Sequence, residues 1–248
     1  MLDKNTRNTS IFGKRIKQIF SWLMYTRLNM KSIADIKHAS YINLLKRADR
    51  KKHVEEQLSS VGMVGTRFNA IEITNGALGC SLSHLKCLKN AFDNDLPHIL
   101  ICEDDITFLQ PEVFVRQLNK FLELHGEDDS WGVLLIAGNN VPPYKVIDDT
   151  CVQVRHCQTT TGYIVKKHYY RTLMTNIQEG INLFLKNPKL GFYYAIDKYW
   201  LSLQKTDKWL LLTPLTVVQK DDYSDIEKKV TNYSKLMLDL DKPHLQKK

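Results

Sequence analysis

Three consecutive carboxylates, Glu103-Asp104-Asp105, follow the apolar run His98 to Cys102, which reads as a buried strand. Like charges at a strand end repel unless a cation balances them, and in open α/β sheets that rim is where ligands bind. Carboxylate oxygens on one short turn are hard ligands of the kind that Mg²⁺ or Mn²⁺ takes, with waters and substrate phosphates completing the shell. Alternation in an extended chain would put Glu103 and Asp105 on one side and Asp104 on the other. The competing role is a solvated acidic turn or helix cap; the position after a buried strand favours the metal.

Three further clusters carry polar chemistry. Gly76-Ala77-Leu78-Gly79-Cys80-Ser81-Leu82-Ser83-His84 reads as a glycine loop running into a helix, whose free N–H groups would face a diphosphate. Gly ahead of a Ser N-cap is equally an ordinary helix start, and His84 is either a ligand contact or a packed core histidine. In Asn43 to Arg50, polar and basic groups follow the first strand, and Arg47 and Arg50 suit phosphate or carboxylate. Thr159-Thr160-Thr161-Gly162-Tyr163 either lines a polar ligand with hydroxyls or is a run of high β-propensity.

Alternating elements must position these groups. Strands are expected at His38 to Leu45, Arg67 to Ile73, His98 to Cys102, Trp131 to Ala137, Thr161 to Val165 and Trp209 to Leu212. Helices are expected at Asp49 to Ser60, at Ser81 to Asn94 with Leu85, Leu88 and Phe92 inward, and from Pro111, where proline is tolerated. Strand–helix alternation at this spacing predicts an α/β layered sheet.

The formal net charge of the 248 residues is +8, but it is unevenly spread. Residues 1–38 hold eight Lys/Arg against two Asp, leaving 27 bases against 25 acids in the rest. A nucleic-acid partner would need a basic folded face, and the nearly neutral domain argues against one. At 43% hydrophobic and 25% charged the composition is that of a globular chain. Residues 1–38 form a separate arm, in which Ile11, Phe12, Ile16, Ile19, Phe20, Leu23 and Met24 fall near helical spacing among lysines and arginine. This basic amphipathic segment, residues 11–28, suits either peripheral contact with an anionic membrane or packing on the domain. No run reaches the ~18 apolar residues of a membrane span. The five dispersed cysteines suit reduced thiols and a cytoplasmic location, and Cys151-His156-Cys157 matches no common zinc knuckle. The expected organisation is an arm at 1–38, a domain at 39–236 and a mobile tail at 237–248.

In order, "YINLLKRADR", "GALGCSLSHLKCL", "ILICEDDITF", "TTTGYIV", "YYAIDKYWL" and "VVQKDDYSDI" resemble glycosyltransferase family 25. That family includes lipopolysaccharide and lipooligosaccharide galactosyltransferases and procollagen galactosyltransferases. The resemblance covers roughly residues 39–226. It implies a GT-A-like fold with a Rossmann-type nucleotide-binding sheet and inverting transfer of a hexose, commonly galactose, from a UDP-sugar. The acceptor would be a hydroxyl of a glycan, a lipooligosaccharide or a hydroxylysine-type group. It further implies a divalent metal, Mn²⁺ above all, on the acidic motif Glu103, Asp104 and Asp105. Donor contacts would fall at Asn43, Arg47, Arg50, Gly79, His84, Thr160, Thr161 and Tyr163. Cys80 and Ser83 complete the GC-x-x-SH element, and Ser224-Asp225-Ile226 match the terminal S-D-I. An inverting displacement needs a general base, for which Asp197 is the candidate; its competing role is an N-cap. Tyr193, Tyr194, Tyr199 and Trp200 either stack on a sugar or belong to the core. Ala77 departs from the acid common in the family's Gly-x-x-Gly-Cys stretch. The rival class is a non-catalytic relative that binds glycans or partners on the same fold.

Overall fold

A computed structural model describes residues 30–226 and 228–243; the amphipathic segment 11–28 lies outside them. In chain order the first half contains β1 (Ala39–Asn43), α1 (Ala48–Ser60), β2 (Thr66–Asn69), α2 (Gly76–Asp93), β3 (His98–Glu103), β4 (Ile106–Phe108), α3 (Pro111–His125) and β5 (Val133–Leu135). Short strands follow: β6 (Asn139–Asn140), β7 (Tyr144–Val146), β8 (Cys151–Val154) and β9 (Cys157–Gln158). Then come β10 (Gly162–Lys166), α4 (Tyr170–Lys186), and the short helices α5 (Gly191–Tyr194), α6 (Ile196–Tyr199) and α7 (Leu201–Thr206). The chain continues through β11 (Trp209–Leu212), β12 (Val217–Gln219), a hairpin of β13 (Asp222–Ser224) and β14 (Lys229–Thr231), and α8 (Ser234–Leu238).

Eight strands form one mixed sheet in the order β2-β1-β3-β10-β5-β11-β8-β7. The β2-β1-β3 part is parallel and Rossmann-type, whereas β10 runs antiparallel to both of its neighbours. Alternation sorts the side chains of β3 to opposite faces. Leu100 and Cys102 join α1 (Val54, Leu58) and α3 (Phe114, Leu118, Phe121, Leu122) in one core. Ile99 and Ile101 join α2 (Cys87, Leu88, Ala91) and α4 (Leu173, Ile177, Ile181, Phe184) in the other. Helices thus cover both faces, as a sheet with parallel strands requires, because each face is apolar. This is the α/β class expected from the sequence.

Four expectations differ from the structure in ways that bear on the site. The helix expected from Ser81 starts at Gly76, because Asn75 caps it, Oδ1 accepting from the Leu78 N–H at 3.1 Å. Gly76 and Gly79 are therefore helical and not a loop. The strand expected to reach Ile73 stops at Asn69; the Ile71 N–H instead donates to Ser83 Oγ at 2.8 Å, turning the segment onto α2. At 30–38 the arm is part of the domain: Met30 and Ile36 are buried, and the Ile33 N–H donates to Asn119 of α3. At 237–243 the tail is packed: Met237 is buried, and buried Lys242 donates to the Leu236 and Asp239 carbonyls. Among the described residues, no helix is long and apolar enough to cross a membrane. All five cysteines are free thiols.

Candidate active site

Register brings the acidic motif together with its partners. Ile42 of β1 pairs with Glu103, so Asn43 stands beside the turn that follows β3. Gly162 of β10 pairs with Cys102, which carries Thr159–Thr161 to the same end of the sheet, and the Glu103 N–H donates to the Thr161 carbonyl at 3.0 Å. Gln219 pairs with Ile106, just beyond Asp105. The residues so gathered include Arg50, Gly79, Glu103, Asp104 and Asp105, around a cavity of about 300 Å³.

The three acids have different surroundings, and the expected alternation ends at Glu103, where the chain turns. Asp104 spends one oxygen on the Asn43 amide (2.7 Å) and the other on Arg50 (3.1 Å). Asp105 Oδ2 accepts from Arg50 (3.2 Å) and Gln219 (2.9 Å), while its buried Oδ1 has no partner. Glu103 turns instead to α2 and β10, taking the Thr160 hydroxyl at 2.8 Å and the Cys80 thiol at 3.5 Å. His84 Nε2 lies 3.5 Å from Glu103 without hydrogen-bond alignment.

Electrostatics follow from that geometry. Burial, then the Glu103 charge, pushes Asp105 up to about 7 despite Arg50. Burial likewise raises Asp104. For Glu103 burial is outweighed by His84, Thr160 and Cys80, leaving it below its ordinary value. One guanidinium thus serves two buried carboxylates beside a third, so the turn is short of positive charge. This fits a hard cation, with the unpartnered Asp105 Oδ1 and the part-exposed Glu103 as oxygens having capacity left, and Asp104 already committed. Cys80, His84 and Glu103 also lie close enough to share an ion. That set fits less well: burial foremost drives the Cys80 thiol well up, and His84 Nδ1 is engaged with the Tyr163 hydroxyl at 2.7 Å.

The other candidates divide. Gly79 lines the cavity, and a Cβ there would stand 2.6 Å from the Ile71 carbonyl oxygen, so only glycine lets α2 approach the 70–73 segment this closely. Arg47 reaches Asp225 (2.6 Å), Asp49 (2.9 Å) and Asp222 (3.3 Å), and Arg50 also donates to the Tyr223 carbonyl (2.8 Å). Both arginines therefore hold carboxylates and the β13–β14 hairpin. Asn43, His84 and Tyr163 are fully buried behind the cavity wall; Tyr163 packs edge-on against Trp200 at 5.6 Å. Thr161 is buried with its hydroxyl unpaired. Ala77 is partly buried in the α2 core cluster and is not part of the cavity wall, so its departure from the family pattern does not alter that wall.

Asp197 does not cap its helix; Ala195 holds the N-cap position. Its Oδ2 accepts from the Thr159 N–H at 3.2 Å, and burial foremost raises its pKa. Thr159 holds φ at +76°, a left-handed conformation that is rare for a β-branched residue. Successive residues Thr159 and Thr160 thus fix Asp197 and Glu103. Of the four aromatics near Asp197, Trp200 is core, Tyr194 and Tyr199 are half-buried and Tyr193 is exposed. Gln219 and Asp222 lie within the stretch VVQKDDYSDI, but nothing in that stretch gives either a role until the partners Asp105, Arg47 and Arg50 are known.

Residues 37–131 match the family model described as Glycosyltransferase family 25 (LPS biosynthesis protein). No curated protein matches the chain in sequence. Among solved structures the chain is similar to a glycosyltransferase involved in the glycosylation of the major capsid of PBCV-1, with 12% identity, TM-score 0.45, and coverage of 82% of this chain and 88% of that one. Mannose-1-phosphate geranyltransferase from Thermus thermophilus aligns at 10% identity and TM-score 0.41 over 71% and 73% of the two chains. A Drosophila β1,4-galactosyltransferase 7 in complex with manganese, UDP-Gal and xylobiose aligns at 16% identity and TM-score 0.31 over 55% and 51%.

Proposed function

From the premise that residues 37–131 carry the glycosyltransferase family 25 pattern, we propose that this transferase moves a hexose, galactose first among candidates, from a UDP-sugar to a saccharide or glycoconjugate hydroxyl with inversion. The observation that carries the reading is the cation-poor acidic turn Glu103–Asp105 on a cavity at the C-terminal end of a parallel β2-β1-β3 unit.

Asp197 takes the proton of the acceptor hydroxyl, whose oxygen attacks C1 of the hexose as the bond from C1 to the diphosphate oxygen breaks. Its raised pKa suits a base, because burial makes the carboxylate readier to accept a proton. Thr159 aims it through its N–H. A divalent metal, Mn²⁺ by preference, held by Asp105 and Glu103, would supply positive charge where the diphosphate leaves. Arg50 keeps Asp104 and Asp105 at the cavity, and Thr160 keeps Glu103 oriented.

The test measures Mn²⁺-dependent hydrolysis or transfer across a panel of UDP-sugars, for the wild type and for Asp105→Asn, a near-isosteric change. Turnover of a UDP-hexose by the wild type and a loss of about a hundredfold in the variant are expected, about 3 kcal/mol of transition-state stabilisation. Equal turnover in both would refute the metal assignment. A folded wild type that binds UDP but turns over no donor would favour the non-catalytic alternative.

A further inference from the structure

Asp197 feels charges of opposite sign, Glu103 of the acidic turn and its own neighbour Lys198. Lys198 lies 4.9 Å over the Phe192 ring and donates its hydrogen bond to the neutral Gln158 amide oxygen rather than to an acid. Gln158 Nε2 in turn lies 2.8 Å from His156 Nε2. His156 is held below its ordinary pKa by burial first, then by Lys198 and Lys205 together, so both ammonium groups bear on the same spot. Neither Lys198 nor Lys205 stands within ion-pair distance of a carboxylate among the described residues, and Asp197, next to Lys198 in the chain, feels its charge. Beside Lys198, Phe192 and Tyr193 make an edge-to-face pair at 5.5 Å and are 68% and 66% exposed.

Asp197 is the acid that feels Lys198, and Lys205 adds a second positive charge beyond it, an excess that is relieved when an anion joins it. Large exposed aromatics beside Lys198 offer an apolar face for the C–H side of a sugar ring, and the Gln158 amide offers hydrogen bonds. The cluster also connects directly to the chemistry. Gln158 precedes Thr159, whose N–H holds Asp197, and Lys198 follows Asp197 in α6. A ligand seated on Phe192 and Lys198 therefore lies against the residue that would deprotonate the acceptor.

We propose that this face is the acceptor subsite, and that the acceptor is a saccharide carrying a phosphate or carboxylate group: Lys198 and Lys205 meet the anion, and Phe192 stacks on the ring. This inference rests on the glycosyl-transfer reading and gives it a substrate class.

The experiment titrates the full chain by calorimetry with glucose monophosphate, glucuronate, glucose and inorganic phosphate, and separately with UDP plus Mn²⁺. Both charged sugars are expected to bind at least about tenfold more tightly than glucose, equivalent to about 1.4 kcal/mol. That preference should vanish in Lys198→Met with Lys205→Met, while UDP affinity stays at the wild-type value. In Phe192→Ala the sugars should weaken and inorganic phosphate should not. Phosphate monoester and uronate arms distinguish the two sources of charge. Equal binding of charged and neutral sugars, or a preference that survives the double variant, overturns the proposal. So does inorganic phosphate bound as tightly as the sugar phosphate, which would leave an anion site without a sugar. Binding to phosphatidylglycerol vesicles that is lost in the double variant, with no discrimination among sugars, would replace the saccharide by a lipid surface. Failure of UDP to bind the wild type, with the sugar preference intact, would count against the transfer reading and not against this one.

Discussion

Individual side chains at the acidic turn have divided duties that their spacing does not reveal. The sequence places three like residues in a row; partners fifty or more positions away decide which of them retain free oxygens. Thr160→Val is expected to lower turnover by about fivefold, equivalent to about 1 kcal/mol of hydrogen bonding to Glu103, and to lower the melting temperature by only about 2–4 °C. Steady-state kinetics beside thermal melts separates the two effects. Gly79→Ala should do the reverse in part, costing roughly 1–3 kcal/mol because its Cβ meets a backbone oxygen, with a melting temperature several degrees lower. A residue remote from the site sets the acid response. Buried His98, its Nε2 unpaired, is pulled down to about 4 by burial foremost and then by His38 and Lys166, against the opposing charge of Asp35. The unfolded chain binds that proton at its ordinary 6.5, so the stability tied to neutral His98 is complete above 6.5 and is lost as the pH falls to 4. Denaturant melts should show a decline of a few kcal/mol across that window, flattened in His98→Phe.

At the scale of elements, apolar periodicity made the sheet and its covering helices legible. α3 shows inward Phe114, Leu118, Phe121 and Leu122, and β3 is apolar on both faces. What periodicity missed was governed by single polar contacts: the Asn75 cap that starts α2 early, and the Ser83 hydroxyl that ends β2 early. Nothing in the stretch VVQKDDYSDI marks the β13–β14 hairpin as a wall of the site, because its place depends on Arg47 and Arg50, more than 170 positions earlier. Its tip packs so closely on α2 that a Cβ at Gly76 would stand 3.0 Å from the Ile226 Cα. Arg47→Gln should therefore loosen the hairpin, since Asp225 loses its cation and Asp222 keeps only Arg50 at 3.6 Å. We expect faster limited proteolysis within 221–231 and a higher KM for the donor, with a smaller change in kcat. Unchanged cleavage would show that apolar contacts alone hold it.

For the whole molecule, the uneven charge suggested an arm separable from the domain at residue 38, and packing moves that boundary. Met30 and Ile36 are buried, and the Met30 carbonyl lies so near Gly126 that a Cβ there would stand 1.7 Å from it. A chain beginning near Ser40 should be less stable than one beginning at Met30 by roughly 3–5 kcal/mol, the contribution of the two buried side chains. If segment 11–28 attaches the protein to a cytoplasmic membrane face, the Met30 chain should keep its turnover and lose recovery with anionic vesicles. Equal recovery would end that idea. Segments 185–205 and 39–105 are likewise distinct parts of the surface, one carrying the acceptor proposal and the other the donor proposal. What joins them is a single peptide link: Thr159 holds Asp197 by its amide, and Thr160 holds Glu103 by its hydroxyl. Because one bond sets the spacing, a one-residue insertion or deletion there would, on the roles proposed for Asp197 and Glu103, throw proton removal and leaving-group departure out of step simultaneously. Drift toward a new acceptor is thus confined to the exposed aromatics and lysines, while the step between the two threonines acts as the gauge to which both halves of the reaction are cut.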